Sequence, residues 1–195
     1  MRFAPASVRA WLAAGLLLGG LALVAPPGRA QDTGAATLAS LESAFLRNFA
    51  RYVTWPSAAF ASERAPWRVC VLGAEHLDDT LEKTLQSRTE QGRSFAVIRG
   101  VAAQQLPTCQ IAYIGYRNAA TRSAALAELK RQPVLTVGDA PEFLNEGGII
   151  RLRPGERLEM SINLDQARAA SLTIPTKMLE VSRDVVENGT LRRWR

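Results

Sequence analysis

Apolar residues recur along the chain in two rhythms. Between Ala35 and Trp55 they fall at three- and four-residue steps (Leu38, Leu41, Phe45, Phe49, Tyr52 and Val53), with Arg47, Asn48 and Arg51 off that stripe. The spacing predicts an amphipathic helix, and Pro56 ends it, because proline disfavours helical geometry at the preceding Trp55. From Pro66 the rhythm shortens. Trp67 to Leu72, Phe95 to Arg99, Ile111 to Ile114 and Val134 to Val137 read as strands, with Leu77, Leu81 and Leu85 at helical spacing between the first two. Asn118 to Arg131, rich in leucine and alanine, reads as a crossover helix between the last two. A strand, a helix and a strand in that order form a parallel pair. Ile149 to Leu152 and Leu158 to Ile162 flank the turn-rich Arg153-Pro154-Gly155-Glu156 and predict an antiparallel hairpin. Asp139-Ala-Pro141 reads as a cap and the start of a short helix ended by Gly147-Gly148, and Leu164 to Ala170 and Thr176 to Val186 read as helices. The sum is a single α/β domain with a mostly parallel sheet of about five or six strands flanked by helices, and an antiparallel hairpin near the C-terminal part.

The first thirty residues follow a different pattern. Arg2 and Arg9 precede and flank an apolar run from Trp11 to Val24, and Gly28-Arg29-Ala30 places small residues around a cut. That order predicts a signal peptide over residues 1–30, cleaved after Ala30, with 31–195 as the exported domain in an oxidising compartment. Removing the leader takes away Arg2, Arg9 and Arg29 and no acid, so the formal charge of +6 falls by three. The basic balance is then no argument for nucleic acid. Arg192, Arg193 and Arg195 read as a solvated basic tail.

Export changes the meaning of the two cysteines. In an oxidising compartment Cys70 and Cys109 are expected to form one disulfide, with buried free thiols as the alternative. Two cysteines and the single His76 are too few for a structural zinc site, and neither a dinucleotide fingerprint nor a P-loop is present, so no metal and no cofactor is expected. His76 has no serine or cysteine beside it at a recognisable elbow and reads as a solvated or capping residue.

Two surfaces stand out. Three predicted strands end on Gly73, Gly115 and Gly138, which would gather Gly73, Gly115, Arg117, Asn118 and Asp139 at one edge of the sheet. There helix amino ends and Arg117 suit a small anion, the alternative being that these residues only turn the chain. At the end of the first helix, Arg51 lies off the apolar stripe and Trp55 stands at the helix stop. Arginine and tryptophan are enriched among interface anchors, which nominates both as partner-binding residues.

Six blocks then carry a family resemblance: Phe45 to Pro56 (FLRNFARYVTWP), Val69 to Gly73 (VCVLG), Cys109 to Ile114 (CQIAYI), Val134 to Asp139 (VLTVGD), Phe143 to Leu152 (FLNEGGIIRL) and Met160 to Leu179 (MSINLDQARAASLTIPTKML). In this order they resemble the YfiR-like periplasmic proteins. The resemblance implies a regulator without catalytic activity that binds the periplasmic sensor domain of an inner-membrane diguanylate cyclase and represses it, modulating cyclic di-GMP signalling and biofilm formation. A homodimer is a further possible assembly. Some members carry a second cysteine pair around the Gly-Gly-Ile-Ile segment, whereas Leu144 to Leu152 holds none here. A periplasmic small-molecule sensor or solute-binding module is the alternative reading.

Overall fold

The computed structural model describes residues 29–77, 79–100, 103–155 and 157–193. The expected leader lies outside the described residues except for its last two. The helices are α1 (Arg29–Tyr52), α2 (Thr80–Leu85), α3 (Ala119–Glu128), α4 (Leu164–Ala169) and α5 (Thr176–Glu180). The strands are β1 (Trp67–Leu72), β2 (Thr89–Glu90), β3 (Arg93–Arg99), β4 (Ile111–Ile114), β5 (Leu135–Gly138), β6 (Ile150–Arg153), β7 (Glu159–Asn163), β8 (Asp184–Glu187) and β9 (Thr190–Arg193).

All of these strands join one sheet in the order β2-β3-β1-β4-β5-β6-β7-β8-β9. Strands β3, β1, β4, β5 and β6 run parallel to their neighbours in that block, and β6 and β7 form the expected antiparallel hairpin, with Ile150 opposite Ile162. Among the described residues the sheet has nine strands where the sequence pattern predicted about five or six. The additional three are β2, β8 and β9, and two tight turns account for them. Gln91-Gly92 joins β2 to β3 with both residues at positive φ (53° and 75°), and Asn188-Gly189 joins β8 to β9 likewise (52° and 69°), the conformation that two-residue hairpins require. The second turn is held from α4, where the Asp165 carboxylate accepts the backbone N–H of Asn188 at 2.9 Å and of Gly189 at 2.8 Å. Those two bonds hold the Asp165 carboxyl below its usual range. Consequently the run predicted as one helix from Thr176 to Val186 divides into α5 and β8.

The predicted helix after Asp139 is a second correction. Residues 141–147 form successive turns around Phe143, whose ring fills the space that side chains at Gly138 and Gly148 would need. A Cβ on Gly138 would lie 2.5 Å from that ring and one on Gly148 2.2 Å. A segment pinned between two such contacts has no room to extend into a helix.

Alternation along the strands sorts the core into two layers. Val69, Val71, Ile111, Tyr113, Leu135 and Val137 face α1, with Leu46, Phe49, Val53, Trp67, Leu77 and Leu81 packed on them. Cys70, Leu72, Ala112 and Ile114 point the other way, toward Leu106, Cys109, Leu126, Leu129, Phe143 and Leu144. In this second layer Cys70 and Cys109 are joined by a disulfide, with Cα atoms 6.0 Å apart. It ties the middle of β1 to the segment entering β4, and these two strands are hydrogen-bonded neighbours. On α1 the buried face is Ala39, Glu42, Ser43, Leu46, Phe49, Ala50 and Val53, rotated from the predicted stripe, while Leu41 (43% exposed) and Tyr52 (50%) point outward. Among the described residues no helix is long and apolar enough to cross a membrane.

Candidate functional site

Because five neighbouring strands share one direction, their carboxyl ends collect at a single edge, and the structure brings Gly73, Gly115, Arg117, Asn118 and Asp139 there. The two glycines serve close packing. Gly73 adopts φ +63° with a would-be Cβ 2.4 Å from the Tyr116 ring, and a Cβ on Gly115 would meet the Gly73 carbonyl oxygen at 2.8 Å. Asn118 caps α3, its Oδ1 accepting from the Thr121 backbone N–H at 3.0 Å and from the Thr121 hydroxyl at 3.2 Å. Arg117 and Asp139 remain exposed. Beneath them the buried Arg122 donates from Nε and Nη2 to Glu146 at 2.5 and 2.6 Å, and from Nη1 to the Tyr116 carbonyl at 2.7 Å, which fixes the loop after β4 to the turns after β5.

Next to this edge lies a cluster that sequence reasoning missed. Glu42 of α1 is 1% exposed, and both of its carboxylate oxygens are engaged. The Tyr113 hydroxyl of β4 donates to Oε1 at 2.9 Å, and His76, on the short turn after β1, lies with Nε2 2.7 Å from Oε2. The His76 and Tyr113 rings stand edge to face, 5.9 Å apart. The hydrogen bond to Glu42 raises the His76 pKa, burial opposes it, and the charges of Glu42, Asp139 and Glu75 add to the rise. Burial raises the Tyr113 hydroxyl well above its usual range, and the negative charges of Glu42 and Asp139 reinforce it. The arrangement holds one proton on Tyr113 and favours a second on His76, so α1, β1 and β4 are joined through one buried carboxylate. The signal was an acid inside the stripe Ala39, Glu42, Leu46, Phe49 and Val53; once that stripe is identified as the buried one, a carboxylate on it demands partners.

At the other end of α1 the two nominated residues part company. Arg51 donates to the buried Glu90 from Nε at 2.9 Å and from Nη2 at 3.1 Å, and Arg47 reaches the same carboxylate at 2.7 Å. Burial pushes the Glu90 pKa up, but the two guanidinium groups outweigh it and the net shift is downward. Arg51 stays 47% exposed at its side chain. Trp55, nominated at the helix stop as a partner-binding residue, is buried. It is 8% exposed, its indole N–H donates to the Gln110 carbonyl at 3.2 Å, and its ring meets Trp67 edge-on at 4.9 Å. The reason is the chain direction. Thr54 and Thr173 exchange backbone hydrogen bonds at 3.0 Å each, which turns the chain inward before Pro56. Among the described residues no group of three or more His, Cys, Asp or Glu side chains is placed to hold a metal ion.

Comparison with known proteins adds a family. The profile of the family described as DUF4154, YfiR/HmsC-like, matches residues 39–183. No curated protein matches the chain. Among solved structures, a conserved domain protein from Vibrio cholerae O1 biovar El Tor str. N16961 is 11% identical with a TM-score of 0.45, covering 61% of this chain and 54% of its own. An ABC domain in complex with L-Trp from Streptococcus pneumoniae is 9% identical with a TM-score of 0.44 and the same two coverages, 61% and 54%. The chain thus spans about half the length of either structure.

Proposed function

The chain belongs to the YfiR/HmsC-like family, and on that premise we propose that it is a periplasmic regulator that binds the periplasmic sensor domain of an inner-membrane diguanylate cyclase and represses it, lowering cyclic di-GMP and restraining biofilm formation. The observation that carries this reading is the extent of the match, which runs from α1 to the loop before β8. The function is one of contact. Both oxygens of the buried Glu42 are committed to Tyr113 and His76, and burial keeps the Tyr113 proton in place, an arrangement that favours a fixed scaffold. A disulfide between the chain's two cysteines suits an oxidising compartment, in keeping with a leader over 1–30 cut after Ala30. We place the partner-facing surface at the end of α1, where Arg51 and Tyr52 are exposed, with the nominated Trp55 buried against Trp67 just beyond the helix.

Deletion of the gene is the test. Cellular cyclic di-GMP is expected to rise and to return on complementation; an unchanged level contradicts repression. Mass spectrometry of the exported protein should find Gln31 at its start, and full-length protein in the membrane fraction would contradict the leader.

A further inference from the structure

Helix α1 carries an apolar stripe beside its buried face that the fold covers only in part. Leu38, Leu41, Phe45, Asn48 and Tyr52 follow one another at alternating steps of three and four, the spacing of a heptad seam. Leu41 is 43% and Tyr52 50% exposed, Asn48 is exposed, and Leu38 and Phe45 are half-buried. The stripe extends over roughly 21 Å at 1.5 Å per residue. Isolated exposed apolar residues need no explanation, but four in register along the side of a helix whose adjacent face already fills the core make a continuous surface. Its centre is ordered from below, since the Phe45 ring packs edge-on against the buried Phe49 at 6.0 Å.

The flank of this stripe is cationic. Arg47 and Arg51 share one carboxylate, that of Glu90, which leaves a net positive charge beside the apolar residues. The sole acid of α1 between Leu38 and Tyr52 is Glu42, buried on the other face. A second copy of the chain docking through the same stripe would bring only the same cations, which disfavours self-pairing.

We propose that the outward stripe of α1 is a docking seam for an amphipathic helix with an acidic flank on the partner sensor domain, an inference that rests on the regulatory reading above. Leu41, Phe45 and Tyr52 seat the apolar face of the incoming helix, the helix-in-groove mode of recognition. Asn48 lies in the middle of the seam, where a lone polar side chain fixes the register of the pairing. Arg51, already oriented by Glu90, meets the acidic flank.

The test uses the exported chain and the purified periplasmic domain of the cyclase. Binding is measured for wild type, Leu41→Glu, Tyr52→Glu and, as an exposed apolar control far from α1, Leu191→Glu. The two α1 variants are expected to weaken binding by about tenfold or more while melting within about 2 °C of wild type, and the control to bind as wild type does. A photo-crosslinking residue at position 41 or 52 should capture an acid-flanked helix of the sensor domain. Wild-type affinity in both α1 variants overturns the seam, as does capture only of a strand, a loop or a second copy of this chain. If wild type itself fails to bind the sensor domain, the regulatory reading falls, and the partner assigned to the seam falls with it.

Discussion

On the face of the sheet covered by α1 the fastening is a hydrogen-bonded carboxylate, Glu42 between His76 and Tyr113; on the face covered by α3 it is the covalent bond between Cys70 and Cys109. Both fasten the same central pair, since Cys70 lies on β1 and Tyr113 on its neighbour β4. The difference lies in what loosens each. A buried carboxylate network depends on who holds the protons, whereas a disulfide depends on the redox state of the compartment. One pair of strands is therefore secured against two unrelated changes, and each fastening can be broken while the other is watched.

Removing the disulfide should have the largest effect. It closes a segment of 39 residues, for which the chain-entropy relation gives about 4 kcal/mol, or a fall of roughly 8–16 °C in melting temperature for the Cys70→Ser, Cys109→Ser double variant. Calorimetry at pH 6 and pH 8 should give the same loss, because no titrating group is involved. A loss within a degree or two would show that the bond is not structural. Tyr113→Phe should come next. It leaves one oxygen of a fully buried carboxylate without its donor, which costs about 2 kcal/mol by comparison with other hydrogen bonds to charged groups. Urea denaturation should find that loss in the oxidised protein with the disulfide intact by thiol labelling, and an unchanged midpoint would remove the tyrosine from the fastening.

The third prediction is a pH dependence confined to the α1 face. The folded pKa of His76 is raised, so its contribution is fully present below the unfolded value of about 6.5 and is lost as the pH rises through the higher folded value. Wild type should accordingly lose stability from pH 6 toward pH 8.5 by an amount that His76→Asn flattens and that the cysteine double variant retains. An equal slope in His76→Asn would assign the dependence elsewhere. The smallest effect is expected of Arg51→Ala, a melting shift of no more than about 2 °C, since Arg51 is half exposed and Arg47 remains on Glu90. A melting shift of many degrees would show that Arg51 does more than flank the surface.

The two fastenings were unequally legible in the sequence. Cys70 and Cys109 are the only cysteines of a chain with an export-like leader, and their runs alternate as strands, so the bond and the β4-α3-β5 unit could be written down in advance. Glu42 could not, because an acid on a helix reads as solvent-facing until the face of burial is known. That face was misjudged: Leu41 and Tyr52 drew the predicted stripe toward themselves, and burial instead follows the small residues Ala39, Ser43 and Ala50, which let α1 approach the sheet. Strands β8 and β9 were a different loss, since Asn188-Gly189 is a strong hairpin signal but follows a segment, Thr176 to Val186, that read as one helix after Pro175. The burial of Trp55 was equally hidden, since a residue next to a proline stop packs inward here only because Thr54 is bonded to Thr173.

That last bridge has a bearing on the order in which the molecule can be assembled. Thr54 receives its partner from a segment more than a hundred residues later in the chain. At ordinary synthesis rates the interval between the emergence of the two is on the order of ten seconds. During that time the end of α1 is held only through Glu90 and Gln91, and the stripe from Ala39 to Val53 has only the early strands to pack on. A nascent chain halted before Thr173 should therefore remain open to proteolysis around Tyr52 and Val53, and one extended past β8 should not.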